Sequence, residues 1–153
     1  MTISVVERLA KRSVQVGTCM EWTGSKTHDG YGQMRIGGVL YLTHRLAWTE
    51  AHGPIPAGMV IDHMCHNKSC VYTPHLRLAT RKQNNENKAG AYRTSKSGVR
   101  GVCWDKQKCK WRVEVRHNKK AHFAGYFDDL EEAGETARQL RLKLFTFSTV
   151  DLI

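Results

Sequence analysis

The sequence predicts an α+β protein with a small, metal-stabilised front domain, followed by a three-stranded antiparallel sheet packed on one helix. Three observations predict this class. Cys and His residues cluster at 62–75, three strand-like runs follow residue 98, and apolar residues recur at helical spacing after residue 129. A chain of 153 residues is long enough for one ordinary domain or two very small ones.

Short elements with clear boundaries are predicted in the front domain, which we place at 1–88. The Gly37-Gly38 pair suits a hairpin turn between two strands. Gly53-Pro54 must end the helix before it, because proline cannot continue a helix. The predicted elements are a helix at 3–12, strands and turns at 19–42, a helix at 43–52, a strand at 60–61, and a helix at 80–88 capped by Thr80.

Small and polar residues at 89–97 predict a linker, and a second domain is expected at 98–147. Its strands are predicted at 99–104, 110–116 and 122–127, with turns at 106–109 and 118–120. Apolar residues at helical spacing predict one amphipathic helix that packs on this sheet. They are Leu130, Ala133, Ala137, Leu140 and Leu144.

The charge of the chain is concentrated in one stretch. Net charge is +10, and residues 81–122 hold 13 Lys and Arg against 3 Asp and Glu. This imbalance predicts a polyanionic partner such as nucleic acid, although a solvated basic face without a partner is the alternative. No apolar run is long enough to span a bilayer, and 1–17 lacks the apolar core of a secretion signal. We therefore expect a cytoplasmic protein with reduced cysteines and no membrane partner.

A soft metal site is predicted by Cys65, Cys70 and His75, which are spaced five residues apart. Such a loop can turn two thiolates and an imidazole onto one tetrahedral zinc ion. Zinc needs a fourth ligand, and Cys19 is the only other cysteine in this half of the chain. The alternative is two buried free thiols and a surface histidine.

The same region resembles the HNH (ββα-metal) nuclease superfamily, in particular its His-Cys box homing endonucleases and related phage HNH proteins. The most specific part of the match is the 62–76 block, which begins Asp62-His63. The rest of the matching stretch comprises 19–22, 30–32, 44–45, 53–56 and Asn84.

The resemblance implies a role for each matching residue. His63 corresponds to the general base, while Asp62 and Asn84 correspond to ligands of a catalytic Mg²⁺ or similar ion. The structural zinc of the family is held by residues matching Cys19, Cys65, Cys70 and His75. The chemistry agrees, because histidine titrates near neutral pH, Mg²⁺ prefers oxygen ligands, and thiolates suit zinc.

Three further points concern this predicted nuclease site. An arginine should clamp the scissile phosphate, and Arg35 is preferred over Arg45, although an ordinary surface role for Arg35 is the alternative. Tyr72 stands where the family has the middle asparagine of its motif, which puts the rigidity of the loop in doubt. The remaining histidines are expected to be structural or solvated, and these are His28, His44, His52, His66 and His117.

The back domain resembles AP2-type DNA-binding domains over 98–102, 104, 110–116, 125–127 and 131–133. In that family, alternate residues of the sheet contact the major groove. Strand periodicity likewise separates a charged face from an apolar face in 110–116. The predicted DNA contacts are Arg100, Trp104, Lys106, Lys110, Arg112 and Arg116. Phe123 and Cys103 depart from the pattern of the plant AP2 domains. The DNA sequence preference of those domains therefore does not transfer to this chain.

These features together predict a metal-dependent endonuclease that cuts double-stranded DNA. The alternatives are a non-catalytic DNA-binding regulator that keeps the zinc fold, and an RNA-binding protein. The sequence leaves open whether the chain forms a homodimer.

Overall fold

Hairpins and short helices alternate along the front half of the chain, as described by a computed structural model that covers residues 3–149 and 151. Two compact units, Met1–Asn84 and Asn85–Ile153, divide the chain. The elements of the front unit are α1 (Val5–Lys11), β1 (Ser13–Val16), β2 (Cys19–Trp22), β3 (Gln33–Ile36), β4 (Val39–Leu42), α2 (Thr43–His52), β5 (Met59–His63) and β6 (Leu76–Thr80), and α3 (Arg81–Glu86) spans the division.

Three antiparallel hairpins pair β1 with β2, β3 with β4, and β5 with β6. The predicted turn at Gly37-Gly38 is confirmed, since both residues have the positive φ angles that glycine adopts without strain. The predicted helix at 43–52 is confirmed, and Gly53 ends it as expected. Thr80 caps α3 as predicted, because its Oγ1 accepts a hydrogen bond from Gln83 N at 3.2 Å.

The front unit has a small core to which α1, β2, β3, α2, β5 and β6 each contribute a buried side chain. Leu9 of α1, Trp22 of β2 and Ala47 of α2 are all buried there. The other buried members are Met34, Ile61, Val71 and Leu76. A core of seven side chains holds together a unit made mostly of two-stranded hairpins.

A three-stranded antiparallel sheet and one helix form the second unit, as the sequence predicts. The sheet order is β7 (Val102–Asp105), β8 (Lys110–His117) and β9 (Lys120–Phe127), followed by α4 (Leu130–Leu144). The first strand of this sheet, β7, begins three residues later than predicted. The core of the second unit consists of Val102, Val113, Ala133 and Ala137.

Residues 89–97 contain neither helix nor strand, and the proposed linker stays a prediction. Glu86 and Asn87 are buried, and the Asn87 side-chain oxygen accepts a hydrogen bond from Thr149 N at 2.8 Å. Within residues 3–149 and 151, no helix has the length and apolar character needed to cross a bilayer.

Candidate functional site

The loop between β5 and β6 is held against β2, and this contact brings distant residues together. Trp22 N donates to Ser69 O at 2.9 Å, and Val71 N donates to Met20 O at 2.8 Å. An isolated antiparallel bridge between Glu21 and Cys70 thus joins the loop to the open edge of β2. This arrangement explains how Cys19 comes to lie beside residues that are about fifty positions away in the sequence.

Cys19, Cys65, Cys70 and His75 form one cluster, and their ligand atoms all lie within 4.8 Å of one another. His75 Nδ1 is 3.6 Å from Cys19 Sγ and 3.7 Å from Cys70 Sγ. A tetrahedral ion with Zn–S bonds of about 2.3 Å and a Zn–N bond of about 2.0–2.1 Å requires S···N separations of roughly 3.5–3.6 Å. The measured separations match that requirement, so the Cys3His cluster is compatible with zinc.

Without a metal ion, burial favours neutral thiols over thiolates in this cluster. Burial, opposed by a backbone hydrogen bond with Asn67, raises the pKa of Cys65 to about 12, and burial also raises the pKa of Cys70. Thiolates are the form that binds metal. The positive charge of a metal ion is what would stabilise several buried thiolates at one point.

His63 ends β5 beside this cluster, where its imidazole is buried and oriented. Its Nε2 lies 3.1 Å from Cys70 O. Because a carbonyl oxygen only accepts hydrogen bonds, Nε2 carries the proton and Nδ1 carries the lone pair in the neutral ring. Burial lowers the pKa of His63, outweighing the opposite effects of the Cys70 carbonyl and Asp62. The imidazole is therefore neutral near pH 7.

A second buried histidine, His44 on α2, packs against His63 with ring centroids 4.7 Å apart. Burial, then the neighbouring His63 and Arg45, lowers the pKa of His44 to about 3. The start of α2 is fixed by Gly32, whose carbonyl accepts from Thr43 N at 2.9 Å. A Cβ on Gly32 would lie 2.3 Å from Thr43 Oγ1, so glycine is required at this close approach. The expected structural role of His44 agrees with this position.

Asp62 is buried at the end of β5 and pairs with an arginine that the sequence did not single out. Arg77 faces it across the β5–β6 ladder, and Arg77 Nε is 2.9 Å from Asp62 Oδ2. Strand register could have indicated this pair once both strands were known. Asn84, the second proposed Mg²⁺ ligand, lies half-exposed on α3.

Arg35 is exposed on β3, where its guanidinium Nη1 donates to Gly38 O at 2.5 Å within the same hairpin. Its backbone carbonyl accepts from Arg8 Nη2 at 2.9 Å. The structure therefore brings Arg35 together with Arg8. Arg45, the other candidate clamp, is exposed on α2.

Asn67 fastens the loop between β5 and β6, whereas the resemblance places a loop-rigidifying asparagine at the position of Tyr72. Its Nδ2 donates to Glu21 Oε1 at 2.6 Å, and its Oδ1 accepts from Ser69 N at 3.1 Å and Ser69 Oγ at 2.8 Å. Tyr72 is 42% exposed and packs edge-on against the His75 ring. The loop is thus tied to β2 by an asparagine five residues earlier in the chain.

On the back sheet, Lys110, Arg112, Glu114 and Arg116 alternate with buried residues as predicted. Glu114 lies between two arginines: it pairs with Arg112, and Arg116 Nε lies 3.7 Å from its Oε1. Lys110 pairs with Asp128 at 2.8 Å. The open face is therefore basic but partly neutralised by acidic partners.

Trp104 does not lie on this charged face, contrary to the prediction. It pairs with Trp111 in the sheet register, and the two rings meet at 4.9 Å, whereas Cys103 pairs with Arg112. Val102 is buried in the core, so the residue two positions later also points to the helix-bearing side.

Arg100 is engaged by the chain itself. Its guanidinium donates to Glu86 O at 2.9 Å, Lys88 O at 2.8 Å and Asn85 O at 2.9 Å, and it lies 5.1 Å from the Phe145 ring. Burial lowers its pKa, as does the neighbouring Arg141. Lys106 is exposed in the turn after β7.

Two aromatic residues on the open face were not predicted as contacts. Phe123 is 53% and Tyr126 is 39% exposed, and their rings meet at 5.2 Å. The Arg112 guanidinium lies 5.7 Å from the Phe123 ring. Strand alternation alone does not place these two aromatic residues on the same face, because they are three positions apart. A β-bulge opposite Val113 and Glu114 shifts the alternation along β9 and brings both to the open face.

Comparison with known proteins agrees with the geometry of the front unit. Residues 41–86 match the family model described as HNH endonuclease, so this segment is similar to HNH nuclease domains. The match ends at residue 86, and the AP2-like character of the back unit stays a prediction. No solved structure gave a significant match to this chain.

Curated relatives of this chain come from phages. Protein 7.7 of Escherichia phage T7 is 43% identical over 68 residues, which are 44% of this chain and 52% of the relative. Protein 3.8 of the same phage is 37% identical over 79 residues, 52% of this chain and 64% of the relative. An uncharacterised gene 5.3 protein of Enterobacteria phage T3 is 34% identical over 65 residues, 39% of this chain and 64% of the relative. The chain spans between about half and two thirds of the length of these relatives.

Proposed function

We propose that this chain is a metal-dependent DNA endonuclease of the phage or homing HNH type, which hydrolyses phosphodiester bonds with His63 as general base. The observation that carries the proposal is the oriented, neutral imidazole of His63. Its Nε2 is anchored on Cys70 O at 3.1 Å, next to Asp62 and beside the Cys3His cluster. A neutral histidine with a defined tautomer can accept a proton from an attacking water through Nδ1.

Two metal sites with different chemistry support this function. Zinc at Cys19, Cys65, Cys70 and His75 would be structural, because four protein ligands close a tetrahedral site. Asp62 and Asn84 would hold Mg²⁺ or a similar ion, whose charge would stabilise the phosphate and the leaving oxygen during hydrolysis. Both residues offer oxygen atoms, the donors that Mg²⁺ prefers.

The ion pair between Arg77 and Asp62 would hold the Asp62 carboxylate in place before a metal ion binds. Asp62 is 5% exposed, and a buried carboxylate without a partner would be strongly destabilising. Arg77 Nε, 2.9 Å from Asp62 Oδ2, compensates that charge. Arg77 can then also contribute a positive charge near the phosphate, a role we assign to it alongside Arg35.

Double-stranded DNA is the proposed substrate, with the back unit contributing affinity. Lys110, Arg112 and Arg116 line one face of the sheet, and Lys106 is exposed beside β7. Basic side chains on a sheet face suit contact with backbone phosphates and base edges. The proposed place of action is the cytoplasm, and a homodimer is the arrangement in which two such sites would cut both strands.

Plasmid cleavage with added Mg²⁺ tests the proposal. General-base assistance is worth roughly 10²–10⁴-fold, so His63→Ala should lose that factor in cleavage rate while retaining DNA binding. His28→Ala, which removes an exposed histidine of the same unit, should cut like the wild type. Equal rates for His63→Ala and wild type would reject the assignment of the base. A wild-type protein that binds DNA but does not cut would establish the alternative, a non-catalytic DNA-binding regulator.

A further inference from the structure

Three arginines of the front unit line one open cleft whose lining includes none of the four Cys3His residues. Arg8 on α1, Arg12 at the end of the same helix and Arg35 on β3 surround a space of about 360 Å³. Gln33 and Ser25 add polar groups to the lining, and Trp22 forms part of its apolar surface. Among residues 3–149 and 151, no acidic residue lines the cleft.

The three guanidinium groups lack acidic partners in the part of the chain that the structure describes. Among residues 3–149 and 151, no carboxylate oxygen lies within 4.0 Å of a guanidinium nitrogen of Arg8, Arg12 or Arg35. The acidic residue nearest in sequence, Glu7, is engaged elsewhere, because its Oε2 accepts from Ser4 N at 2.9 Å in the capping box of α1. Arginine keeps its charge at every physiological pH, so the three positive charges persist together.

Backbone contacts hold two of these side chains in place. Arg8 Nη2 donates to Arg35 O at 2.9 Å, and Arg35 Nη1 donates to Gly38 O at 2.5 Å. Each of these side chains uses one guanidinium nitrogen on a carbonyl, and each guanidinium has five N–H donors in all. The cleft therefore presents oriented, charged donors without the loss of side-chain entropy that a fully mobile arginine would incur on binding.

We propose that the Arg8–Arg12–Arg35 cleft binds phosphate groups of the nucleic-acid backbone. A phosphate oxygen accepts charge-assisted hydrogen bonds from guanidinium groups, and the absence of carboxylates from the lining removes the usual competitor. This inference rests on the proposed function only in taking DNA as the polyanion. Arg35 thereby becomes one part of a phosphate site that also needs the arginines of α1.

Binding of the full chain to labelled duplex DNA across a salt series, without added Mg²⁺, tests the proposal. Each phosphate contact contributes about −0.9 to the slope of log K against log salt. Arg8→Gln, Arg12→Gln and Arg35→Gln should each reduce the slope by about 0.9 and weaken binding at low salt, and the triple variant should reduce it by roughly 2.7. Lys11→Gln is the matched control, since it removes one exposed charge from the same helix outside the cleft.

The outcomes separate the alternatives. An unchanged slope in the triple variant would overturn the proposal, and an equal drop for Lys11→Gln would show a general charge effect and overturn it too. Arg12→Gln is informative even where the other variants fold poorly, and Arg12→Lys should restore most of the slope. Inorganic phosphate that competes with DNA beyond the effect of matched chloride, in wild type but not in the triple variant, would support the proposal, because free and backbone phosphates present the same acceptor oxygens. Because binding is measured without cleavage, a failure here leaves the role of His63 untouched, and the reverse also holds.

Discussion

Replacement of Cys70 with serine should unfold the front unit, because it removes one ligand of the proposed zinc site. Cys70 is fully buried, and its Sγ lies 3.7 Å from His75 Nδ1, close to the roughly 3.5–3.6 Å that tetrahedral zinc requires. The serine hydroxyl is a far weaker zinc ligand than a thiolate. The cluster would keep three ligands and lose most of its affinity.

The expected magnitude is large compared with the stability of the unit. Structural zinc contributes about 10–16 kcal/mol in zinc-finger peptides, whereas whole domains are stable by about 5–15 kcal/mol. The buried, unpaired hydroxyl adds a cost of about 1–3 kcal/mol. Among the described residues of the front unit, the core cluster comprises seven buried apolar side chains, so little remains to compensate the loss of the metal.

Elemental analysis combined with hydrogen exchange measures both effects. Wild-type protein should contain stoichiometric zinc, and residues 3–84 should be protected from exchange. In Cys70→Ser, zinc and that protection should be lost while the sheet of the back unit stays protected. Cys103→Ser, at an exposed cysteine outside the cluster, should behave like the wild type. Purified, folded wild type without zinc, or a Cys70→Ser protein that keeps both zinc and protection, would refute the reasoning.

Two further predictions concern pH and DNA affinity. Since burial lowers the pKa of His44 from 6.5 to about 3, the unfolded chain binds a proton that the folded chain resists, and stability falls as pH decreases from about 6.5 toward 3. Between pH 7.5 and 5, wild type should lose about 2 kcal/mol more than His44→Gln in denaturant titrations, and equal losses would contradict burial of a neutral His44. Arg112→Ala should weaken duplex binding and reduce the salt slope by about 0.9 in gel shifts, with cleavage at saturating DNA unchanged. Lys143→Ala, on the helix behind the sheet, should leave the slope intact, and an equal drop in both variants would argue against the open face as the DNA contact.

Local patterns predicted the elements of this chain well, because their causes are local. The helix α2 ends at His52, where Gly53 and the following Pro54 stop it. The Gly37-Gly38 pair supplies the positive φ angles of a hairpin. The four residues of the Cys3His cluster were also reached from sequence, by spacing, by elimination and by resemblance. The contact between Asn67 and Glu21 could not be reached in that way, because it joins residues 46 positions apart that carry no shared pattern.

The face of a strand depends on where its alternation begins, and this explains the error at Trp104. Val99 and Val102 are both apolar and differ by an odd number of positions, so either could have set the phase. The structure begins β7 at Val102, after Gly101 with a φ of 86°, and the register pairs Val102 with buried Val113. Tertiary packing, not composition, determines which residues of β7 face the helix, and it places Trp104 beside Trp111 on that side.

Charge in a sequence likewise does not specify where the charge is used. Arg100 belongs to the most basic stretch of the chain, yet its guanidinium donates to three backbone carbonyls of the chain itself. Arg8 and Arg12 belong to the region with little net charge, yet they line a cleft with no acidic residue. Regional net charge therefore overstates one potential nucleic-acid contact and conceals another. The pairing of each guanidinium, which only the fold determines, is the better guide to where a polyanion binds.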